Sequence, residues 1–180
     1  RSLTIGIDED SSALLQLTAG SEVGSVSTDG NGQLVIDTEQ ITDSGNQGFS
    51  VGSTVLLGKT DNGIPSDPSS ATVSDDDAKA AFKLTNNFET VPGDDDGNDE
   101  IDIAINLEDV TGDSNNEPQS DLTFIGTVYD GQGGGTTEAV AGGSQAVFND
   151  VAHESEIYFA ILLETASTTD PEDIKGTVRF

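Results

Sequence analysis

Ile101-Asp102-Ile103-Ala104-Ile105-Asn106-Leu107 places an apolar side chain at every second position. A period of two belongs to a strand with one face on a core and the other toward water; a helix would repeat every 3.6 residues. The same period recurs outward in both directions. Leu3, Ile5 and Ile7 alternate with Ser2, Thr4 and Gly6; Leu15 and Leu17 share one face of a second run, Leu34 and Ile36 one face of a third. Further strands are expected over 54–57, 80–85, 122–129, 145–148 and 174–180. In 156–165, Ile157, Phe159, Ile161 and Leu163 alternate with Tyr158, Ala160, Leu162 and Glu164, so apolar residues occupy both faces and the strand is central.

Turn chemistry separates these runs: Asp29-Gly30-Asn31-Gly32, Asp61-Asn62-Gly63, Gly93-Asp94, and residues 113–118 and 131–135. Many short strands with Gly- and Asp-rich connections predict an all-β sandwich or barrel. Helix is expected to be short at most. Residues 37–42 lack a sustained apolar stripe. Ser74 could cap a turn in which Asp75, Asp76 and Asp77 precede Ala78, Lys79, Ala80 and Ala81, though the same run also reads as a solvated loop leading into the Phe82 strand. Residues 64–73, with Pro65 and Pro68, read as a long loop rather than a linker between domains. No internal repeat is present.

The 180 residues carry 34 acidic and 6 basic side chains, a formal charge of −28. The acids are spread along the chain, at 8–10, 75–77, 94–102 and 108–109, so they read as a solvated surface and not as an acidic tail. Four lysines (Lys59, Lys79, Lys83 and Lys175) leave most carboxylates without a cationic partner. Such a surface repels itself at ordinary salt. In molar salt the Debye length falls to about 3 Å, which points to a halophilic setting. Nucleic acid is excluded as a partner by the lack of cations to neutralise phosphates. No run reaches the roughly 20 apolar residues that span a bilayer, so membrane insertion of this chain is not expected. Cysteine is absent, which removes disulfides and thiolate chemistry. A chain opening at Arg1 directly into strand alternation reads as a processed, secreted protein.

Catalytic patterns are thin. His153 is the single histidine, so a two-histidine zinc helix is impossible, and it reads best as a turn residue before a strand. Gly48-Phe49-Ser50-Val51-Gly52 matches a nucleophile elbow in letters, but the elbow needs a helix after the serine and 54–57 reads as strand. Gly133-Gly134-Gly135 lacks the Lys-Ser/Thr of a phosphate loop. No enzyme is expected. Calcium is the one cofactor with an argument: Asp94, Asp96, Asn98 and Asp99 set hard oxygen ligands on a turn, out of EF-hand register, with a solvated acidic loop as the competing reading.

Five segments together resemble a known family. They are 1–10, opening Arg1-Ser2-Leu3-Thr4-Ile5-Gly6-Ile7; Ala13-Leu14-Leu15-Gln16-Leu17; Gly32-Gln33-Leu34-Val35-Ile36-Asp37; Ala81-Phe82-Lys83-Leu84-Thr85-Asn86-Asn87; and Gly176-Thr177-Val178-Arg179-Phe180. Their order resembles the TasA/camelysin-like secreted proteins of haloarchaeal type. The resemblance implies a jelly-roll-like β-sandwich with long acidic loops, exported and assembled with copies of itself into biofilm filaments or bundling pili. The metalloprotease activity described for camelysin is not carried over, because the histidine pair is missing.

The resemblance further implies donor-strand complementation, with residues 1–10 as an N-terminal donor strand and 11–180 as one sandwich domain. Leu3, Thr4, Ile5, Gly6 and Ile7 would then complete a sheet of the next subunit, a mode of β-augmentation. The contrary expectation is that residues 2–8 fold back as an edge strand of a monomer. A monomeric or surface-attached adhesin, with or without calcium, is the alternative function.

Overall fold

The computed structural model of the chain describes residues 3–7, 15–28, 34–37, 40–43, 46–47, 52–88, 100–111, 122–129, 134–141, 143–164 and 175–179. In chain order the strands are β1 (Leu3–Ile7), β2 (Leu15–Ala19), β3 (Val26–Thr28), β4 (Leu34–Ile36), β5 (Thr42–Asp43), β6 (Asn46–Gln47) and β7 (Thr54–Leu57). They continue with β8 (Phe82–Asn86), β9 (Ile101–Thr111), β10 (Leu122–Tyr129), β11 (Gly134–Ala141), β12 (Gln145–Val151), β13 (Glu156–Glu164) and β14 (Lys175–Arg179). One sheet runs β12-β9-β14-β1-β4-β3 and a second runs β11-β10-β13-β8-β2, while β7 pairs with β13 beyond the end of β8. β5 and β6 form a small separate hairpin. The fold is all-β and almost wholly antiparallel.

The two large sheets share one core. Leu34, Ile36, Ile103, Ile105, Leu107, Phe148 and Val178 from the first pack with Phe82, Leu84, Phe124, Ile157, Phe159 and Ile161 from the second. The alternation of 101–107 is therefore real: Ile103, Ile105 and Leu107 are buried and Asp102 is exposed. Each fully buried side chain of this size contributes about 1.5–3 kcal/mol of transfer free energy. Phe82 stacks on Phe159 with centroids 4.5 Å apart, and Phe124 and Phe148 meet that pair edge-on. Gly126 makes room for these rings, since a Cβ there would lie 2.6 Å from both Phe148 and Phe159.

β13 is buried on both faces, as its sequence implies, and the reason is the long 58–81 segment. This segment lies over the outer face of the second sheet. Its Ala71, Val73 and Ala80 form a smaller apolar cluster with Ile125, Tyr158 and Ala160. Backbone and side-chain bonds hold it down. Val73 N donates to Thr127 Oγ1 at 3.0 Å, Tyr129 Oη donates to the Val73 carbonyl at 2.6 Å, and Ala81 N donates to Phe159 O at 2.7 Å. The loop read from 64–73 is thus a third layer, with a single 3-10 turn at Pro68–Ser70 capped by Asp67.

Of the two readings of 74–81, a short helix or a loop leading into the Phe82 strand, the second holds: the run is a turn in which Asp76 accepts from Ala78 N through its side chain and from Lys79 N and Ala80 N through its carbonyl, and the chain then enters β8. One expectation needs correction. Gly134 and Gly135, read as part of a turn, begin β11. Here glycine serves close approach, because a Cβ on Gly135 would stand 2.6 Å from the Val128 carbonyl oxygen, beside the register shift between Thr127 and Tyr129.

Candidate functional site: the β1 slot

β1 lies inside the first sheet, between β14 and β4. It runs antiparallel to β4, with Leu3 opposite Ile36, Thr4 opposite Val35 and Ile5 opposite Leu34. It runs parallel to β14, with Ile5 opposite Gly176, Gly6 opposite Thr177 and Ile7 opposite Val178. Ile36, Leu34 and Val178 are core residues, so positions 3, 5 and 7 stand opposite core residues in the ladder. The donor-strand residues Leu3, Thr4, Ile5, Gly6 and Ile7 thus occupy a slot of their own chain, and that slot is interior rather than at an edge.

The slot has two properties that follow from topology. The β1–β14 pair is parallel, and a parallel pair cannot be closed by a tight hairpin; its partners arrive from distant parts of the sequence. β1 is also the sole link in this sheet, among the described residues, between β12-β9-β14 and the β4-β3 hairpin. Withdrawing β1 would leave β14 and β4 each with an open edge flanking a strand-wide gap.

Among the described residues the densest polar cluster lies elsewhere, where the 58–81 layer meets β8 and β13. Lys83 Nζ contacts Glu156 Oε1 at 2.5 Å and Asp77 Oδ1 at 3.0 Å, and Tyr158 Oη donates to Asp77 Oδ1 at 2.7 Å and to Glu156. Burial opposes the Lys83 charge, but its bonds to Glu156 and Asp77 outweigh that and raise its pKa. Burial, then the same two carboxylates, push the Tyr158 phenol far above its ordinary range. The Tyr158 and Lys83 hydrogen bonds hold the Asp77 carboxyl below its ordinary value. A lysine kept cationic and a phenol kept neutral, both bonded to Asp77 and Glu156, tie the 58–81 layer to β8 and β13.

Of the other candidates, His153 sits half-buried in the turn before β13, closed by Ser155 N donating to the Ala152 carbonyl at 3.0 Å. Ser50 and the calcium candidates Asp94, Asp96, Asn98 and Asp99 lie outside the described residues. Among the described residues no group of three or more His, Asp or Glu side chains is arranged to hold a metal, and no helix is long and apolar enough to cross a membrane. A hollow of about 310 Å³ in the 58–81 layer is lined by Asn62, Ile64, Pro65, Ser66, Asp67 and Ser70, among others.

Reasoning from sequence missed a residue that organises the far end of β8. Asn86 is fully buried; its Nδ2 donates to the Val151 carbonyl at 2.9 Å and its Oδ1 accepts from Phe88 N at 2.8 Å. The only signal was an amide side chain ending an apolar strand.

No protein-family model, no curated protein and no solved structure matches this chain.

Proposed function

We propose that the protein is a structural subunit of an extracellular filament of biofilm-matrix type, secreted into a high-salt medium and joined head-to-tail by exchange of β1. In the filament, Leu3–Ile7 of one copy fills the gap between β4 and β14 of the next. The observation that carries this reading is the position of β1 in an interior slot, bounded by a parallel partner on one side and an antiparallel one on the other. An exchanged strand makes the same pairings as the resident one, so the swap costs little beyond association entropy. Because each copy both gives and receives, the contact is heterologous and propagates into a fibre. The charge of −28 keeps subunits apart except where the strand docks, and molar salt screens the remainder.

The resident placement of β1 equally favours a second reading, a self-contained monomeric or surface-attached binding module. One experiment separates the two. The full chain and a variant lacking residues 1–8 are incubated in molar salt and viewed by negative-stain microscopy, with a peptide of residues 1–8 added in trans. Filaments from the full chain, none from the truncated one, and capture of the peptide by the truncated one support strand exchange. Filaments from the truncated variant would sink it, and a full chain that stays monomeric under all salt conditions leaves the module.

A further inference from the structure

Residues 134–149 hold one charged side chain, Glu138, in a protein where 40 of 180 residues are charged. This stretch builds β11 and β12, the terminal strands of the two sheets. β12 is the less protected of them. Its Gln145, Val147 and Asn149 are exposed, and Val147, 36 % exposed, is one of two large apolar residues at the surface among those described. No described strand pairs with its outer edge. Of the other edges without a described partner, β3 has only three residues and β7 four, and β2 exposes Gln16 and Thr18 but no large apolar side chain. Edges are normally blunted by charge, and this one is not.

The phase of the β12–β9 ladder decides which backbone groups are free. Leu107 N donates to Ser144 O at 3.2 Å, and the register continues regularly through Gln145 opposite Asn106 to Phe148 opposite Ile103. Hydrogen-bonded pairs therefore fall at Ala146 and Phe148, so the N–H and C=O of Gln145 and Val147 face outward. Past Phe148 the register shifts, and Asp150 takes a φ of 52° with its N–H donated to Asp102 Oδ1. The pairable edge thus ends before the acids begin.

We propose that the free edge of β12 pairs antiparallel with the same edge of a second copy, about a two-fold axis through Val147. The segment is self-complementary in that arrangement. Val147 meets Val147, Ala146 meets Phe148, and the amides of Gln145 and Asn149 face each other, with no carboxylate opposed. For a chain of charge −28, a second copy approaches at least electrostatic cost where the paired strand segments themselves carry no charge. The contact is isologous and closes as a dimer, so it is independent of β1 exchange, which propagates. Where both operate, the dimer contact links chains side by side.

The test uses the full chain in molar KCl. Val147→Cys introduces the only thiol; residues directly opposite in such a pair have Cα atoms about 5.5 Å apart, within disulfide reach. Mild oxidation should give a covalent dimer, whereas Ile64→Cys, more exposed at 54 %, should not. Val147→Pro removes only an outward N–H and should abolish the dimer in sedimentation while leaving the circular dichroism unchanged. Equal cross-linking at both cysteines, or none at Val147, overturns the proposal; if the proline variant fails to fold, the cysteine pair decides alone.

Discussion

Asn86 and Val151 are joined by a buried hydrogen bond of 2.9 Å that ties the end of β8 to the end of β12, across the two sheets. The Asn86 backbone extends the tie, its N–H donating to Ser155 O and its carbonyl accepting from Glu154 N. Glu154 holds a φ of 61° in that turn, a left-handed conformation that a non-glycine residue keeps only under such constraint. Replacing Asn86 by Ala leaves the Val151 carbonyl and the Phe88 N–H without these partners. The expected loss is roughly 2–4 kcal/mol, from about 1–3 kcal/mol for the buried Val151 carbonyl and about 1 kcal/mol for the half-buried Phe88 N–H. Denaturant unfolding at constant molar salt measures it.

Gly126→Ala should be as damaging by a different route. The added methyl meets two rings from opposite sheets, Phe148 and Phe159, each at 2.6 Å. Overpacking of this kind costs about 1–3 kcal/mol. Gly126→Ala combined with Phe148→Leu should recover part of that loss, and comparison of the two melting curves checks it.

The interlayer tie should respond to pH on two sides. Asp77 has a lowered folded pKa, so its contribution is present above its unfolded value near 3.8 and is lost as pH falls through the folded one. Lys83 has a raised pKa, so its contribution is complete below about 10.5 and is lost as pH rises through the folded value. The tie is therefore intact across neutral pH and loosens at both extremes. With no tryptophan present, near-ultraviolet circular dichroism reads Tyr129 and Tyr158, which meet edge-on at 5.5 Å under this layer. Asp77→Asn should remove the acid limb of that signal and leave the alkaline limb.

Salt should act on the whole molecule. Lowering it from molar to about 0.1 M lengthens the Debye length from about 3 Å to about 10 Å and brings distant carboxylates into mutual repulsion. The melting temperature is expected to fall steadily over that range, and an unchanged value by calorimetry would contradict the halophilic reading. Chelation with EDTA at constant molar salt should leave the melting temperature unchanged if residues 93–100 are a solvated loop; a drop would favour calcium there.

Alternation made most of the sandwich legible. Ile103, Ile105, Ile157, Phe159 and Ile161 all lie where a period of two puts them, because a strand with one buried face leaves that mark directly in the sequence. β11 left no such mark. Its Gly134–Ala141 run is small and polar, and it forms because β10 offers a ladder and Gly135 allows close approach, both long-range facts. The covering role of 58–81 was hidden for the same reason: Ala71, Val73 and Ala80 are small residues that matter only through what they cover. Of the candidate site, the apolar rhythm of Leu3, Ile5 and Ile7 was readable, but its interior place beside β14 depends on a pairing between segments about 170 positions apart.

The parallel β1–β14 pair has a mechanical consequence. In parallel neighbours, the start of one strand and the end of the other lie at opposite ends of the ladder. A pull that separates Leu3 from Arg179 therefore slides the strands along each other instead of peeling them apart, and the rungs from Ile5–Gly176 to Ile7–Val178 bear the load together. A seam loaded in shear gives way all at once, at a higher force than one that unzips rung by rung.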